Sequence, residues 1–232
     1  MDPIDLISVH VPKCAGSSLG RALEEACGKN SVYFDYGDRP ADPASPMNLD
    51  PDRFFEQSNR DVGLNLSGKR VVHGHFHPNK YKLAPAKLRI TLLREPVERA
   101  ISHYFFWKKM PRHGHVLHDY FLDRELGLLD FVRLPTIREF YTRSFFGSVN
   151  MAEFDIIGLY DKIDIFYRKI EESLNIEMSR AILNKNPSPN YQADKACIFS
   201  NQPLIQSLRG LLKNDIAFYE KLASSRAAIS VH

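Results

Sequence analysis

Three groups of residues in this chain could do chemistry on an anion. Lys13, Cys14, Ala15, Gly16, Ser17 and Ser18 follow Pro12 at the end of the apolar run Ile4 to Val11. Arg94, Glu95, Pro96, Val97, Glu98 and Arg99 follow a second apolar run, Leu88 to Leu93, with Ser102 three residues on. His73-Gly74-His75-Phe76-His77 lies between them. A turn that leaves a strand and opens a helix is a ready anion site, because the first helical N–H groups point outward and the helix dipole favours negative charge. In the first turn Gly16 lets the chain come close to a ligand, Lys13 adds a point charge, and Ser17 and Ser18 add hydroxyl donors. In the second, the Arg94 guanidinium can fork onto phosphate oxygens, with the Ser102 hydroxyl as a further donor. Two such turns side by side would hold a ligand with two separate phosphate-like groups.

The histidines offer a base. Imidazole titrates near neutral pH and can take a proton from a hydroxyl held nearby. If residues 73–77 are extended, their three imidazoles face one way. Alternating histidines also suit zinc, but neither a fourth ligand nor a nearby cysteine pair accompanies them, so no metal is expected. Plainer readings stand beside these. Ser17 or Ser18 could be a simple N-cap with Lys13 in solvent. Arg99 could pair with Glu95 on a solvated first turn. His73 could be packed in the core. His113, His115 and His118 read as an exposed loop.

Short apolar runs and helical spacing supply the elements that must position these groups. Strands are expected at Ile4–Val11, Ser31–Tyr36, Lys69–His75, Arg89–Leu93 and Phe154–Tyr160. Helices are expected at Ser17–Cys27, from Pro51 to Gln57, at Glu95–Met110 with Pro96 in the first turn, at Lys162–Leu174, and as one long amphipathic helix over Pro203–Ala223. Residues 111–150 are rich in aromatics, Arg and His without a strand pattern, and read as a helical insertion that could cover a cleft. Strands alternating with helices predict a three-layer α/β/α fold with a mostly parallel central sheet. At 232 residues, 44% apolar and 25% charged, the chain is expected to be a single domain spanning 1–232. A net charge of only +3 argues against a polyanion binder of the nucleic-acid type. No apolar run is long enough to span a membrane, and no basic and apolar leader precedes the first turn. Three scattered cysteines make no disulfide framework, so a cytoplasmic, reducing location is expected.

The segment His10 to Leu19 resembles the Ile-Pro-Lys-Thr-Ala-Gly-Thr-Ser-Leu stretch of the carbohydrate sulfotransferase superfamily, with Cys14 where that family usually has Thr. Thr91 to Arg99 is similar to the family's Leu-Arg-Asp-Pro-Val-Glu-Arg. The branch it resembles most contains heparan sulfate 2-O- and 6-O-sulfotransferases and related bacterial proteins. This resemblance implies a P-loop-like nucleotide-binding sulfotransferase fold. It also implies 3′-phosphoadenosine 5′-phosphosulfate (PAPS) as co-substrate, with 3′-phosphoadenosine 5′-phosphate (PAP) as product. Lys13, Ala15, Gly16, Ser17 and Ser18 would hold the 5′-phosphosulfate, and Arg94 and Ser102 the 3′-phosphate. The family's His-Gly-His makes His75 the first choice of base and His73 the second, with Lys13 stabilising the departing phosphate. Tyr160-Asp161 departs from the family's Thr-Glu. Asn184 to Gln192 matches a loop that closes over the nucleotide, offering Lys185, Ser188 and Asn190. Asn214 to Tyr219 matches a terminal helix that packs.

The expected reaction is therefore in-line transfer of a sulfuryl group to an acceptor hydroxyl, on a carbohydrate or glycoconjugate precursor. Arg112, Arg124, Arg133, Arg138 and Arg143 could meet an anionic glycan or simply lie on solvated helix faces. Two alternatives remain. One is a nucleotide-dependent kinase, for which neither G-x-x-x-x-G-K-[ST] nor a Mg²⁺ carboxylate after a strand is found. The other is a non-catalytic nucleotide-binding scaffold on the same fold.

Overall fold

The apolar runs are strands, and Ile4–Val9 and Val71–Gly74, both inside the sheet, are buried along their whole length, as parallel strands covered on both faces must be. The computed structural model describes residues 4–180 and 190–225. Strands β1 (Ile4–Val9), β2 (Val32–Asp35), β3 (Val71–Gly74), β4 (Ala86–Leu93) and β5 (Ile156–Leu159) form one sheet in the order β2-β3-β1-β4-β5. Every neighbouring pair is parallel. The helices are α1 (Gly16–Cys27), α2 (Pro46–Leu49), α3 (Pro51–Asn65), α4 (Pro96–Lys109), α5 (Val116–Asp123), α6 (Leu128–Arg133), α7 (Pro135–Arg138), α8 (Ile163–Leu174), α9 (Tyr191–Ser200), α10 (Gln202–Leu211) and α11 (Lys213–Ser224).

The strand order places the site. From β1 the chain moves through α1 toward β2, on one side of the sheet, whereas from β4 it moves through α4 to β5, on the other. Right-handed crossovers then put α1 and α4 on opposite faces. The reversal falls between the adjacent strands β1 and β4, and a crevice opens at the carboxyl ends of strands at such a switch point. Both cationic turns leave the sheet there. Thr91 ties the two strands near their ends, its hydroxyl donating to the Val9 carbonyl at 3.1 Å.

Residues 111–150 form α5, α6, α7 and a π-helical turn over Phe140–Phe145, with no strand. Phe131, Phe140, Tyr141 and Phe145 from this segment are fully buried. They belong to the core, each ring contributing on the order of 2 kcal/mol. The expected long helix over Pro203–Ala223 is two, α10 and α11, broken at Leu212. The restart lets Asp215, in the first turn of α11, enter the core and accept from the N–H groups of Tyr141 and Thr142 at 2.9 and 3.0 Å. Helix α3 runs on to Asn65 instead of stopping at Gln57.

Candidate active site

Helix α1 begins without a cap. Its N-cap is Ala15, in a left-handed conformation (φ 58°), with no side-chain oxygen to close the helix end and no acidic residue in the first turn. Neither Ser17 nor Ser18 is the cap, so the helix's own first turn leaves its dipole unanswered. Lys13 is also left-handed (φ 71°), so two non-glycine residues in this short turn carry backbone strain of about 1 kcal/mol or more each. Ser17 is exposed, while Gly16 and Ser18 are buried. The Lys13 ammonium rests 3.8 Å above the Phe106 ring. Partial burial and the nearby Arg94 lower its pKa to about 8.

The second helix starts differently. Glu95 caps α4, its carboxylate accepting from the Glu98 N–H at 2.8 Å. The helix end is satisfied from within, so the cation here is Arg94. That side chain donates to the Lys13 carbonyl at 3.4 Å, joining the two turns. It also pairs with Glu98 at 3.2 Å and lies 4.5 Å above the Tyr160 ring. Lys195, from α9, holds the other oxygen of Glu98 at 3.0 Å. A cleft of about 390 Å³ opens beside this group, lined among others by Arg94, Glu98, Tyr160, Phe199 and Tyr219. Ser102 lies in the second turn of α4 and is buried.

The expected pairing of Arg99 with Glu95 does not occur. Arg99 is fully buried, bonded to His103 and the Ile137 carbonyl, and its guanidinium stacks 3.9 Å over Phe140. Tyr141 braces the second turn from beneath. Its hydroxyl donates to the Arg94 carbonyl at 2.6 Å and accepts from the Arg94 N–H at 3.0 Å. The Cys14 sulfur lies 3.7 Å from the same hydroxyl, so the residue standing where the family has Thr is buried against Tyr141. The insertion therefore supports the site from inside. Its arginines are largely engaged: Arg112 with Asp123, Arg133 with Asp130, and Arg138 with Glu139.

The imidazoles divide. His73 is fully buried with both nitrogens engaged, Nε2 donating to the Gly16 carbonyl at 3.0 Å and Nδ1 accepting from the Ser8 hydroxyl at 2.9 Å. His77 is turned away and caps a short 3-10 helix, its Nε2 donating to the Gly147 carbonyl. The three rings of residues 73–77 do not face one way, because the strand ends at Gly74. His75 instead meets His10, with ring centroids 4.3 Å apart, and His10 stacks on His73 at 5.2 Å. The His75 Nε2 and His10 Nδ1 atoms are buried without a protein partner among the described residues. Burial, then the neighbouring His73 and Lys13, depress His75 to about 3, and burial holds His73 near 4.

His10 was not singled out from the sequence. Only the pairing of β1 with β3 brings the residue after one strand against the residue after the other; the His10 N–H donates to the Gly74 carbonyl at 2.8 Å. Gly16 is explained by the same ring. A Cβ on Gly16 would lie 1.8 Å from His10 Cδ2, so the glycine makes room for an imidazole. Lys185 and Ser188 lie outside the described residues, and Asn190 directly precedes α9. Among the described residues no three His, Cys, Asp or Glu side chains are grouped to hold a metal ion, and no helix is long and apolar enough to cross a membrane.

A wholly parallel sheet with two cationic strand-to-helix turns at its switch point and a histidine cluster beside them defines an α/β group-transfer domain of the nucleotide-binding kind. The sulfotransferase family model matches residues 2–221, and the chain belongs to that family, whose co-substrate is PAPS. No curated protein matches the sequence. Among solved structures, a sulfotransferase from Alicyclobacillus acidocaldarius aligns at 14% identity over 95% of this chain and 100% of that one, with a TM-score of 0.38. The mouse sulfotransferase SULT7A1 in complex with PAP aligns at 12% identity over 97% of this chain and 86% of that one, with a TM-score of 0.45.

Proposed function

We propose that this sulfotransferase moves the sulfuryl group of PAPS in line to an acceptor hydroxyl, with His75 as the base. The carrying observation is the uncapped N-terminus of α1 beside Lys13, joined to Arg94 on the neighbouring strand end. That pair of cationic groups suits a ligand with two separated phosphates. The bound donor supplies a sulfuryl group on a phosphate leaving group. In the transfer one S–O bond to that phosphate breaks and one to the acceptor oxygen forms. The broken bond's electron pair stays on the phosphate, and the acceptor proton goes to the His75 imidazole.

Lys13 and the backbone of Ala15, Gly16, Ser17 and Ser18 stabilise the charge left on the 5′-phosphate, a preorganised electrostatic contribution. Arg94 grips the 3′-phosphate and must exchange part of its pairing with Glu98 to do so; Ser102 contributes from α4. His73 is a positioning residue in this scheme, fixing the Gly16 carbonyl and the packing under His75. His75 alone is a weak base at a pKa of about 3. Burial is the main cause, but an anion drawn to Lys13 offsets that cation's share and raises the basicity of His75 when the donor is in place. The acceptor is a carbohydrate or glycoconjugate precursor, and the three unpaired cysteines support a reducing, cytoplasmic setting.

Calorimetric titration with PAP, and with ADP as the ligand lacking a 3′-phosphate, tests the donor assignment. PAP should bind about 30-fold more tightly or better, the equivalent of about 2 kcal/mol for charge-assisted bonds to the extra phosphate. Arg94→Ala should erase most of that difference. Equal affinity for the two ligands would overturn the assignment.

A further inference from the structure

One surface beside His75 is used by none of the donor contacts proposed above. Phe34 lies in β2 and Tyr36 directly follows its last residue, and their rings come together on one side of the chain. β2 is an edge strand and that face is open, with Phe34 38% and Tyr36 42% exposed. Their rings are parallel within 11°, with centroids 6.2 Å apart, and make a continuous aromatic ledge. The ledge ends on the imidazoles: Tyr36 meets His75 edge-on at 4.8 Å, and Phe34 meets His73 at 6.0 Å. Gly20 of α1 packs under both, where a Cβ would lie 3.0 Å from Phe34 and from His73. Two large, partly exposed rings beside a half-buried imidazole whose buried Nε2 has no partner among the described residues mark a binding surface.

Charge narrows what the surface can take. Asp35, between the two rings in sequence, is buried and accepts from the Tyr81 hydroxyl at 2.7 Å and from Lys80 at 2.6 Å. Asp38 shares the same Lys80. Glu24 lies one turn along α1 from Gly20, which meets Phe34, and so stands on the helix face toward the ledge. One ammonium thus answers two carboxylates, and Glu24 adds a third. Of the other nearby cations, Arg21 is paired with Glu25 at 2.7 Å and Lys13 belongs to the donor turn.

On the reading of the site given above, we propose that the parallel Phe34–Tyr36 ledge beside His75 carries the acceptor, and that the acceptor is an uncharged sugar ring. The C–H face of such a ring lies on the aromatic faces, its hydroxyls donate to carboxylate at the ledge's edge, and one of them reaches His75. A ring bearing a carboxylate or a sulfate brings its charge against the acidic side and is rejected.

The test uses the full chain, labelled PAPS, and a panel of methyl glycosides (glucoside, galactoside, mannoside and N-acetylglucosaminide) beside methyl glucuronide and 4-nitrophenol. A neutral glycoside should be sulfated with kcat/KM about tenfold or more above that of the glucuronide. Phe34→Ala and Tyr36→Ala should each raise KM for that glycoside about tenfold while PAP affinity stays within about twofold, which also certifies the fold. Tyr36→Phe, which keeps the ring, should raise KM less than Tyr36→Ala. Glu24→Gln should narrow the gap between glucoside and glucuronide several-fold. The proposal is overturned if PAP binds but no neutral glycoside is turned over, or if the glucuronide or the phenol is preferred. It is also overturned if Tyr36→Ala weakens PAP as much as the sugar, which would give the ledge to the nucleotide. Failure of the parent protein to bind PAP would instead sink the donor reading, and the two failures are read from separate titrations.

Discussion

Acidification from pH 7 to 5 should destabilise this protein through its buried imidazoles, with His73 as the measurable case. A carbonyl can only accept, so the bond to Gly16 fixes the hydrogen on Nε2 and leaves Nδ1 to accept from Ser8. Both nitrogens are satisfied in the neutral ring, and full burial pushes the pKa from 6.5 to about 4. The unfolded chain takes up the proton near 6.5 and the folded chain does not. Between those two values the unfolded state holds more protons, so stability falls as pH falls. Each pH unit is worth about 1.4 kcal/mol, so the 1.5 units between 6.5 and 5 cost about 2 kcal/mol at this residue. His10 and His103 are buried and pushed down in the same direction, burial being the first cause in each, and add to the loss. His75, partly exposed, adds less. Against a total of about 5–15 kcal/mol for an ordinary domain, such a loss is large.

Urea unfolding at pH 7 and pH 5, followed by the fluorescence of the single tryptophan Trp107, gives the comparison. His73→Gln keeps an amide that can donate to Gly16 but cannot titrate. It should be less stable than the parent at pH 7, yet lose about 2 kcal/mol less on acidification. Equal losses in parent and variant would refute the reasoning, since His73 would then not be a neutral group trapped in the fold.

His75→Asn should lower kcat by a factor of about 10² to 10⁴, the usual contribution of a general base, with PAP affinity unchanged. Loss of PAP binding alongside turnover would move His75 out of the base role. The depressed pKa of His75 keeps it neutral above about 3, so kcat/KM in the parent should be level from pH 6 to 7 and fall only as Lys13 loses its proton near 8. An inflection near 6.5 would count against that account. Gly16→Ala should cost about 1–3 kcal/mol by overpacking against the His10 ring, and His10→Ala in the same chain should restore much of it. Tolerance of Gly16→Ala alone, seen in the melting temperature, would mean that the glycine serves ligand approach instead.

The candidate site was proposed from local sequence. Lys13, Gly16 and the two serines lie within six positions, and their meaning depends only on a strand ending and a helix starting there. The same holds for Arg94 after β4. The plain alternative, a serine cap, required the dihedral angles to dismiss, because a capping serine and a phosphate-binding serine share a sequence. The histidine run was legible as chemistry but not as geometry. An extended segment would have aligned all three rings, and the chain leaves the strand after Gly74. Arg99 shows the same limit from the other side. A charged residue in a first helical turn reads as solvated, and it is buried because α7 and the π-helical turn cover it with a carbonyl and a ring.

What the sequence determined by itself is the class of fold and the two strand-to-helix turns that carry Lys13 and Arg94, since apolar runs and turn chemistry act over a few residues. Tertiary structure alone decided which groups meet. Strand order sets His10 against His75 and His73. The fold of the insertion carries Tyr141 beneath Arg94 and spends Arg112, Arg133 and Arg138 on local carboxylates. The break at Leu212 delivers Asp215 to the Tyr141 backbone. Each of these contacts joins residues far apart in the chain, and their approach is fixed by burial of the whole core, which no short stretch of sequence encodes.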